Sequence, residues 1–197
     1  MKKRIIIGIS GASGVIYGIR ALQHLAEMDT IESHLIISDG AALNIAVETD
    51  FKVADVKAMA DVVHSNDNLA AGIASGSYRA DAMAVVPCSI KTLSGIANSY
   101  ADNLLVRAAD VTLKERRPLI LMVRETPLHK GHLELMTRAA DYGAVILPPV
   151  PAFYQQPASV TEIVDQSVGK LFDCLDIEHD LMRRWGGKKT KPTSSGQ

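Results

Sequence analysis

The sequence predicts a doubly wound α/β fold, with a mainly parallel sheet covered by helices on both faces. Its candidate strands are continuous apolar runs such as Ile5-Ile6-Ile7 and Leu35-Ile36-Ile37, the pattern of strands buried on both sides. They alternate with segments whose apolar residues recur at helical spacing. The chain has 197 residues, 47% apolar and 22% charged, enough for one such domain with its own core and too apolar for a disordered chain.

The elements follow in order. Arg4 to Ile9 is a β-branched run bounded by glycine, too short for a helix, and reads as a buried strand. Val15, Ile16, Ile19, Leu22 and Leu25 lie on one helical face. Ser33 to Ser38 is a second strand, Gly40 to Val47 a short helix and Val53 to Met59 another, while Val62 to Ser77 has no clear pattern. Ala82 to Val86 is a strand stopped by Pro87, and helices span Ser89 to Ala97 and Asp102 to Glu115. A strand at Leu119 to Val123, a helix at His132 to Tyr142 and a strand at Ala144 to Leu147 come next. Pro148, Pro149, Pro151 and Pro157 mark a loop, and Thr161 to Leu175 is the last helix. The expectation is a single domain over residues 1–187 and a disordered polar tail over 188–197.

Composition narrows the function. With 21 basic and 22 acidic side chains, net −1, no basic field invites nucleic acid. No apolar stretch approaches the roughly 20 residues of a membrane span, and glycines and serines from Gly8 onward break the N-terminal run too early for a signal peptide. Cys88 and Cys174 form neither a disulfide framework nor a zinc spacing, which points to a reducing cytoplasm.

Doubly wound sheets bind ligands beyond the carboxyl ends of their strands. The residues there are Ser10 to Gly14, Ser38, Cys88 to Thr92 and Arg124 to Pro127. The Gly8 to Gly14 turn joins strand to helix, where free amides favour an anion. It lacks the G-x-G-x-x-G spacing, and Ser38 rather than an acid ends the second strand, which disfavours a nicotinamide dinucleotide. Gly11-Ala12-Ser13-Gly14 is also one residue short of a nucleophile elbow. Ser38, Ser89 and Thr92 add hydroxyls to the lip; Ser89 also suits a helix cap. Hydroxyls without a dedicated lysine cradle suit a monophosphate such as that of FMN.

Arg107 and Lys114 share one helical face, and Arg124-Glu125 follows a strand on the ligand side. Cys88 reads as a buried thiol. His129 and His132, with Glu134 nearby, lack further ligands at helical spacing, so a metal is disfavoured. Nothing orients His64, and His24, His34 and His179 carry no constellation.

Gly11 to Gly14, Ser38 through Glu48-Thr49-Asp50, Pro87 to Thr92, Ala101 to Leu105, Arg124 to Pro127 and Pro148 to Tyr154 together resemble the flavin prenyltransferases. This is the UbiX family, long labelled aromatic-acid decarboxylases of the Pad type. The resemblance runs in order from about residue 4 to Trp185, and the ordered set is far more specific than GASG alone. It implies a Rossmann-like (flavodoxin-like) three-layer sandwich, and metal-free transfer of a dimethylallyl group from dimethylallyl monophosphate to N5 and C6 of reduced FMN. The prenylated FMN then passes to a UbiD-type decarboxylase. It also implies a homo-oligomer, a dodecamer with flavin sites at subunit contacts.

The resemblance assigns FMN binding to Gly11, Ala12, Ser13, Ser38, Ser89, Thr92 and Arg124. It assigns the prenyl phosphate to Arg107, Lys114, Arg124, Glu125, Tyr154 and Lys170, some from neighbouring subunits, with Tyr154 and Trp185 as aromatic wall. Catalysis falls to Ser13 and Glu48 as a proton relay, Glu125 as acid, and Lys114. The family often has arginine where this chain has Lys170, which keeps the charge and loses the bidentate fork. Two other readings are an FMN-dependent decarboxylase of the cysteine decarboxylase superfamily, which usually carries Pro-Ala-Ser-Ala-Asn-Thr in place of Pro87 to Thr92, and a non-catalytic flavin-binding module.

Overall fold

The computed structural model describes residues 2–184; Trp185 and the 188–197 tail lie outside the described residues. The strands are β1 (Lys3–Ile9), β2 (Ile31–Ile37), β3 (Val62–His64), β4 (Ala82–Cys88), β5 (Leu119–Val123) and β6 (Val145–Ile146). They form one 6-stranded sheet in the order β3-β2-β1-β4-β5-β6, and every pairing is parallel. The helices are α1 (Val15–Ala26), α2 (Asp39–Glu48), α3 (Val53–Ala58), α4 (Ile90–Ala97), α5 (Leu104–Lys114), α6 (Lys130–Asp141) and α7 (Val160–Cys174).

The apolar runs divide strictly by parity. Ile5, Ile7 and Ile9 of β1 pack with α1, α2, α3 and α7, whereas Ile6 packs with α4, α5 and α6 on the other face. Both faces are therefore covered and both sets of side chains are buried. The chain winds outward from β1 through β3, returns to β4 beside β1, and winds outward again. That reversal leaves a crevice at the carboxyl ends of β1 and β4, the switch point where such sheets take ligands. After β6 the proline-rich segment crosses back, and α7 docks against α1 through Arg20, whose Nε and Nη2 each donate to Asp165 at 2.9 Å.

Several boundaries differ from the sequence expectation, each for a local reason. β4 runs through Pro87 to Cys88. Proline has no N–H to pair, so the β4–β5 register breaks between Val85 and Cys88 and then resumes. The patternless Val62 to Ser77 stretch holds the edge strand β3 and a 3-10 turn at Gly72–Ala74. Three residues paired on one side are too few to show a period. Asn103 and His129, not Asp102 and a residue at His132, start α5 and α6 by capping Val106 N at 3.0 Å and Gly131 N at 3.1 Å.

His34, which looked isolated in sequence, is the centre of a network. Its Nδ1 meets His64 Nε2 at 3.0 Å and its Nε2 meets Glu32 Oε1 at 2.9 Å and Tyr78 Oη at 3.1 Å. His64 is thus oriented, contrary to expectation. Burial, and then the neighbouring His34, hold its pKa below the usual histidine range.

α1 approaches β4 so closely that a Cβ on Gly18 would lie 2.3 Å from the Val86 carbonyl oxygen and 3.0 Å from Ile9 side-chain carbons. A backbone carbonyl inside a sheet cannot yield. Gly18→Ala should therefore destabilise the protein by about 1–3 kcal/mol, despite a helix-propensity gain of about 1 kcal/mol. Urea unfolding measures this; an equal or raised midpoint would contradict the packing.

Candidate functional site

Four strand ends are knitted together at the crevice. Ser10, at the end of β1, is fully buried. Its Oγ donates to Pro87 O at 2.9 Å and accepts from Ser89 N at 2.8 Å. Ser38 N, at the end of β2, donates to Ile9 O at 3.0 Å, and Arg124 N, after β5, donates to Cys88 O at 3.1 Å. Gly11 and Gly40 then meet backbone to backbone: a Cβ on Gly11 would lie 3.0 Å from Gly40 Cα. Neither position has room for a side chain.

Two cavities open from this floor. The larger, about 940 Å³, is lined by Gly11, Ser38, Ser89, Thr92, Asn66 and Glu125 among others. Ser38 Oγ caps α2 by accepting from Ala41 N at 3.2 Å, and Ser89 Oγ caps α4 by accepting from Thr92 N at 3.3 Å while donating to Thr92 Oγ1 at 3.1 Å. These caps leave the first amides of both helices unpaired. Two helix N-termini and the Ser38 and Thr92 hydroxyls therefore line one cavity, an arrangement that favours an anion. This donor set fits a phosphomonoester such as that of FMN.

The second cavity, about 660 Å³, is lined by Ser13, Tyr17, Glu48, Arg124, Glu125 and Val150 among others. Glu125 lines both cavities. The Arg124 guanidinium makes no hydrogen bond or ion pair among the described residues. Glu125 Oε1 accepts from Thr126 N at 2.9 Å. Arg124 and Glu125, though adjacent in sequence, form no ion pair with each other. Gly14, at φ +95°, begins α1 with no side-chain cap of its own. Glu48 Oε2 supplies one, accepting from Gly14 N at 2.7 Å and Val15 N at 3.4 Å. That places Glu48 beside the exposed Ser13.

Other expected site residues lie elsewhere. Ala12 is buried and its N–H is bonded to Ser10 O at 2.8 Å, so it offers no amide to a ligand. Lys170 lines a small hollow with Pro148 and Val150, residues that also line the second cavity, and its Nζ sits 3.8 Å from Asp173. Tyr154 lies in a 3-10 turn, 57% exposed, and its Oη accepts from Gln155 Nε2 at 3.1 Å. Arg107 and Lys114 line neither cavity. Arg107 donates to Ala74 O at 3.1 Å and pairs with Asp110 at 3.0 Å, and Lys114 pairs with Glu115 over Gly76. They do share a face of α5, but α5 covers the side of the sheet opposite α1 and α7. Trp185 lies outside the described residues.

Cys88 is fully buried and its thiol is pushed far up by desolvation, as a structural cysteine's is. His129 Nδ1 is occupied by Gly131 N at 3.1 Å, and among the described residues no group of His, Cys, Asp and Glu is gathered that could hold a metal. No described helix is long and apolar enough to cross a membrane. Sequence reasoning missed Ser10 as a tie, Gly40 as the partner of Gly11, and Asn66, whose backbone and side-chain oxygens receive Leu104 N at 2.7 Å and Leu105 N at 3.1 Å. It also missed Tyr17; the only available signal was its place one helical turn after Gly14.

The Flavoprotein family model matches residues 1–185. The flavin prenyltransferase UbiX of Salmonella typhimurium is 57% identical over 187 residues, 94% of this chain and 99% of that protein. Among solved structures, AnUbiX in complex with FMN and dimethylallyl pyrophosphate superposes with a TM-score of 0.94 at 45% identity, covering 96% of this chain and 100% of that one. A dodecameric FMN-dependent UbiX-like decarboxylase from Escherichia coli O157:H7 gives 0.92 at 46% identity over 93% of this chain and 100% of its own. Near-full-length identity at this level, on a site with a phosphate lip and a second cavity joined by Glu125, settles the family: this chain belongs to the UbiX flavin prenyltransferases.

Proposed function

We infer that this protein transfers a dimethylallyl group from dimethylallyl monophosphate to reduced FMN in the cytoplasm, making prenylated FMN for a UbiD-type decarboxylase. The observation that carries the reading is Glu125 at the junction of two cavities, one with a phosphate lip and the other with an unpaired guanidinium. Two anionic substrates that must touch need this arrangement.

Ser38, Ser89, Thr92 and the amides of α2 and α4 hold the FMN phosphate. Reduced flavin supplies N5 as nucleophile; a proton added to the double bond of the transferred group then lets its tertiary carbon bond to C6, which releases its own proton, so ring closure consumes no net proton. Arg124 and Lys170 hold the prenyl phosphate. As the allylic C–O bond breaks, the electron pair leaves with the phosphate, and these cations stabilise it. Glu125 gives its proton to the departing oxygen. Ser13 carries the N5 proton to Glu48, whose Oε2 is held by the Gly14 and Val15 amides. No divalent ion takes part.

The charge on the leaving phosphate needs more cations than one chain gathers. Arg107 and Lys114 sit on the far face of the sheet, so we assign them to the site of an adjoining copy, where they join Arg124. A homo-oligomer, consistent with the dodecameric neighbour, completes the site.

Reduced FMN and dimethylallyl monophosphate, incubated anaerobically with the protein and EDTA, should yield a flavin heavier by one prenyl unit in mass spectrometry. Unmodified flavin, or a product that appears only after magnesium is added, would refute the reading. Glu125→Gln keeps the side chain's size and loses its transferable proton. It should bind FMN normally and slow single-turnover prenylation by about 10²–10⁴; a wild-type rate would assign Glu125 a spectator role. Mixing Lys114→Ala with Arg124→Ala subunits should restore part of the activity that each variant lacks, because mixed contacts rebuild intact sites. No recovery after verified subunit exchange would place Lys114 outside the shared site.

A further inference from the structure

The second cavity contains a phenol that the fold does not explain. Tyr17 lines it together with Ser13, Arg124 and Glu125. Its ring is fixed by packing. Tyr17 N donates to Gly14 O at 3.1 Å, the ring lies 3.1 Å from where a Cβ on Gly14 would be, and it packs against the core beneath α1. The first of these uses the backbone and the others use ring carbons; none uses the hydroxyl. The hydroxyl makes no hydrogen bond to any described residue, although a tyrosine taken partly out of water usually finds its oxygen a partner. Phenylalanine would pack the same turn equally well, so packing does not account for the oxygen.

The neighbouring group is the Arg124 guanidinium, also without a hydrogen bond among the described residues, whose charge is felt at the phenol. We propose that the Tyr17 hydroxyl is a further substrate-binding group, donating a hydrogen bond to the prenyl phosphate that Arg124 holds. The proposal rests on the prenyl-transfer reading above. A guanidinium is a donor only, and a neutral phenol beside it has one proton to give. Two donors that line one cavity and make no hydrogen bond to each other or to its Glu48 and Glu125 carboxylates suit an anionic ligand. A terminal phosphate has enough oxygens for the Arg124 fork and for Tyr17 together.

The FMN phosphate is not that anion. Its lip of Ser38, Ser89 and Thr92 lines the other cavity, and Tyr17 lines only this one. Burial raises the phenol pKa above the ordinary tyrosine value, and the opposing influence of Arg124 is the smaller. Tyr17 therefore stays protonated at neutral and mildly alkaline pH. It remains a donor, and it does not become a phenolate that could capture the allylic cation in place of the flavin.

The test is Tyr17→Phe in the assembled full-length protein. The KM for dimethylallyl monophosphate should rise roughly 10-fold, as expected for losing a hydrogen bond to a charged group, with kcat within about twofold and FMN affinity unchanged. Calorimetric binding of dimethylallyl monophosphate to the oxidised FMN complex should weaken by the same factor without turnover. Unchanged KM and unchanged binding in Tyr17→Phe overturn the proposal. So does a silent Tyr17→Phe beside a Tyr17→Leu that raises KM, since the ring alone would then matter. A wild-type protein that binds FMN but neither binds nor uses the prenyl phosphate sinks the prenyl-transfer reading, and this proposal with it. A wild-type protein that prenylates flavin normally, beside a silent Tyr17→Phe, sinks this proposal alone.

Discussion

The Ser10 hydroxyl holds the site together. Fully buried at the end of β1, it bridges the Pro87 carbonyl and the Ser89 amide at 2.9 and 2.8 Å. A parallel sheet that reverses its winding leaves a gap where the two halves diverge, and there the backbone bond from Ser10 N to Pro87 O lengthens to 3.2 Å. Ser10 satisfies one donor and one acceptor there at once. In doing so it sets the spacing between the end of β1 and the N-terminus of α4, one of the two helix starts that form the proposed phosphate lip. The Gly11–Gly40 contact draws α2 in to the same point. A phosphate bound there is held by three separate strand ends because one side chain fixes their relative positions.

The two-faced sheet also bears on why the proposed mechanism calls for more than one copy of the chain. Its helices carry cations on both faces, and the sheet keeps them apart. Arg124 and Lys170 open toward the α1–α7 side, and Arg107 and Lys114 toward the loop beneath α5. Leu43 and Val47 on α2 are 65% and 76% exposed, and Val160 at the start of α7 is 76% exposed. Apolar surface so close to the cavities is suited to cover by another copy. On the proposed reading, assembly would do two things together, burying that surface and importing positive charge to the prenyl phosphate.

The fold was legible because its signals are local and repeated. Ile5 to Ile9 and Leu119 to Val123 are buried on both faces and read as unbroken apolar runs, and α1 shows its buried stripe. The edge strand β3 was not legible, because three half-exposed residues carry no period. Pro87 misled for a similar reason: one missing N–H stops a pattern in sequence but only interrupts a ladder in space. At the site, Ser38, Ser89 and Thr92 could be inferred because strand ends and helix caps are written in adjacent residues. Glu125 and Arg124 could be placed at a strand end, but not recognised as unpaired with one another. Ser10 and the His34 network depend on residues 79 and 30 positions away, and no local pattern records such distances. Arg107 and Lys114 gave the opposite difficulty: their shared face was readable, and their separation from Arg124 by the whole sheet was not.

Glu48 shows how structure and chemistry can share one side chain. Gly14 adopts a left-handed conformation and has no side chain to cap α1. The carboxylate of Glu48, from the last residue of α2, therefore does the capping from a distance. This ties the two helices flanking Ser13, and it favours a negative group where the α1 dipole is positive. A loss of activity on removing Glu48 would consequently have two sources, a displaced Ser13 turn and a missing proton acceptor. Glutamine separates them in principle, since its amide oxygen can still receive the Gly14 N–H while the side chain no longer accepts a proton at neutral pH. The cap uses Oε2 alone, which leaves the second oxygen to accept the proton in the proposed relay. A carboxylate anchored by one oxygen stays in place without a further partner, and the cap is what keeps Glu48 on the cavity that Ser13 also lines.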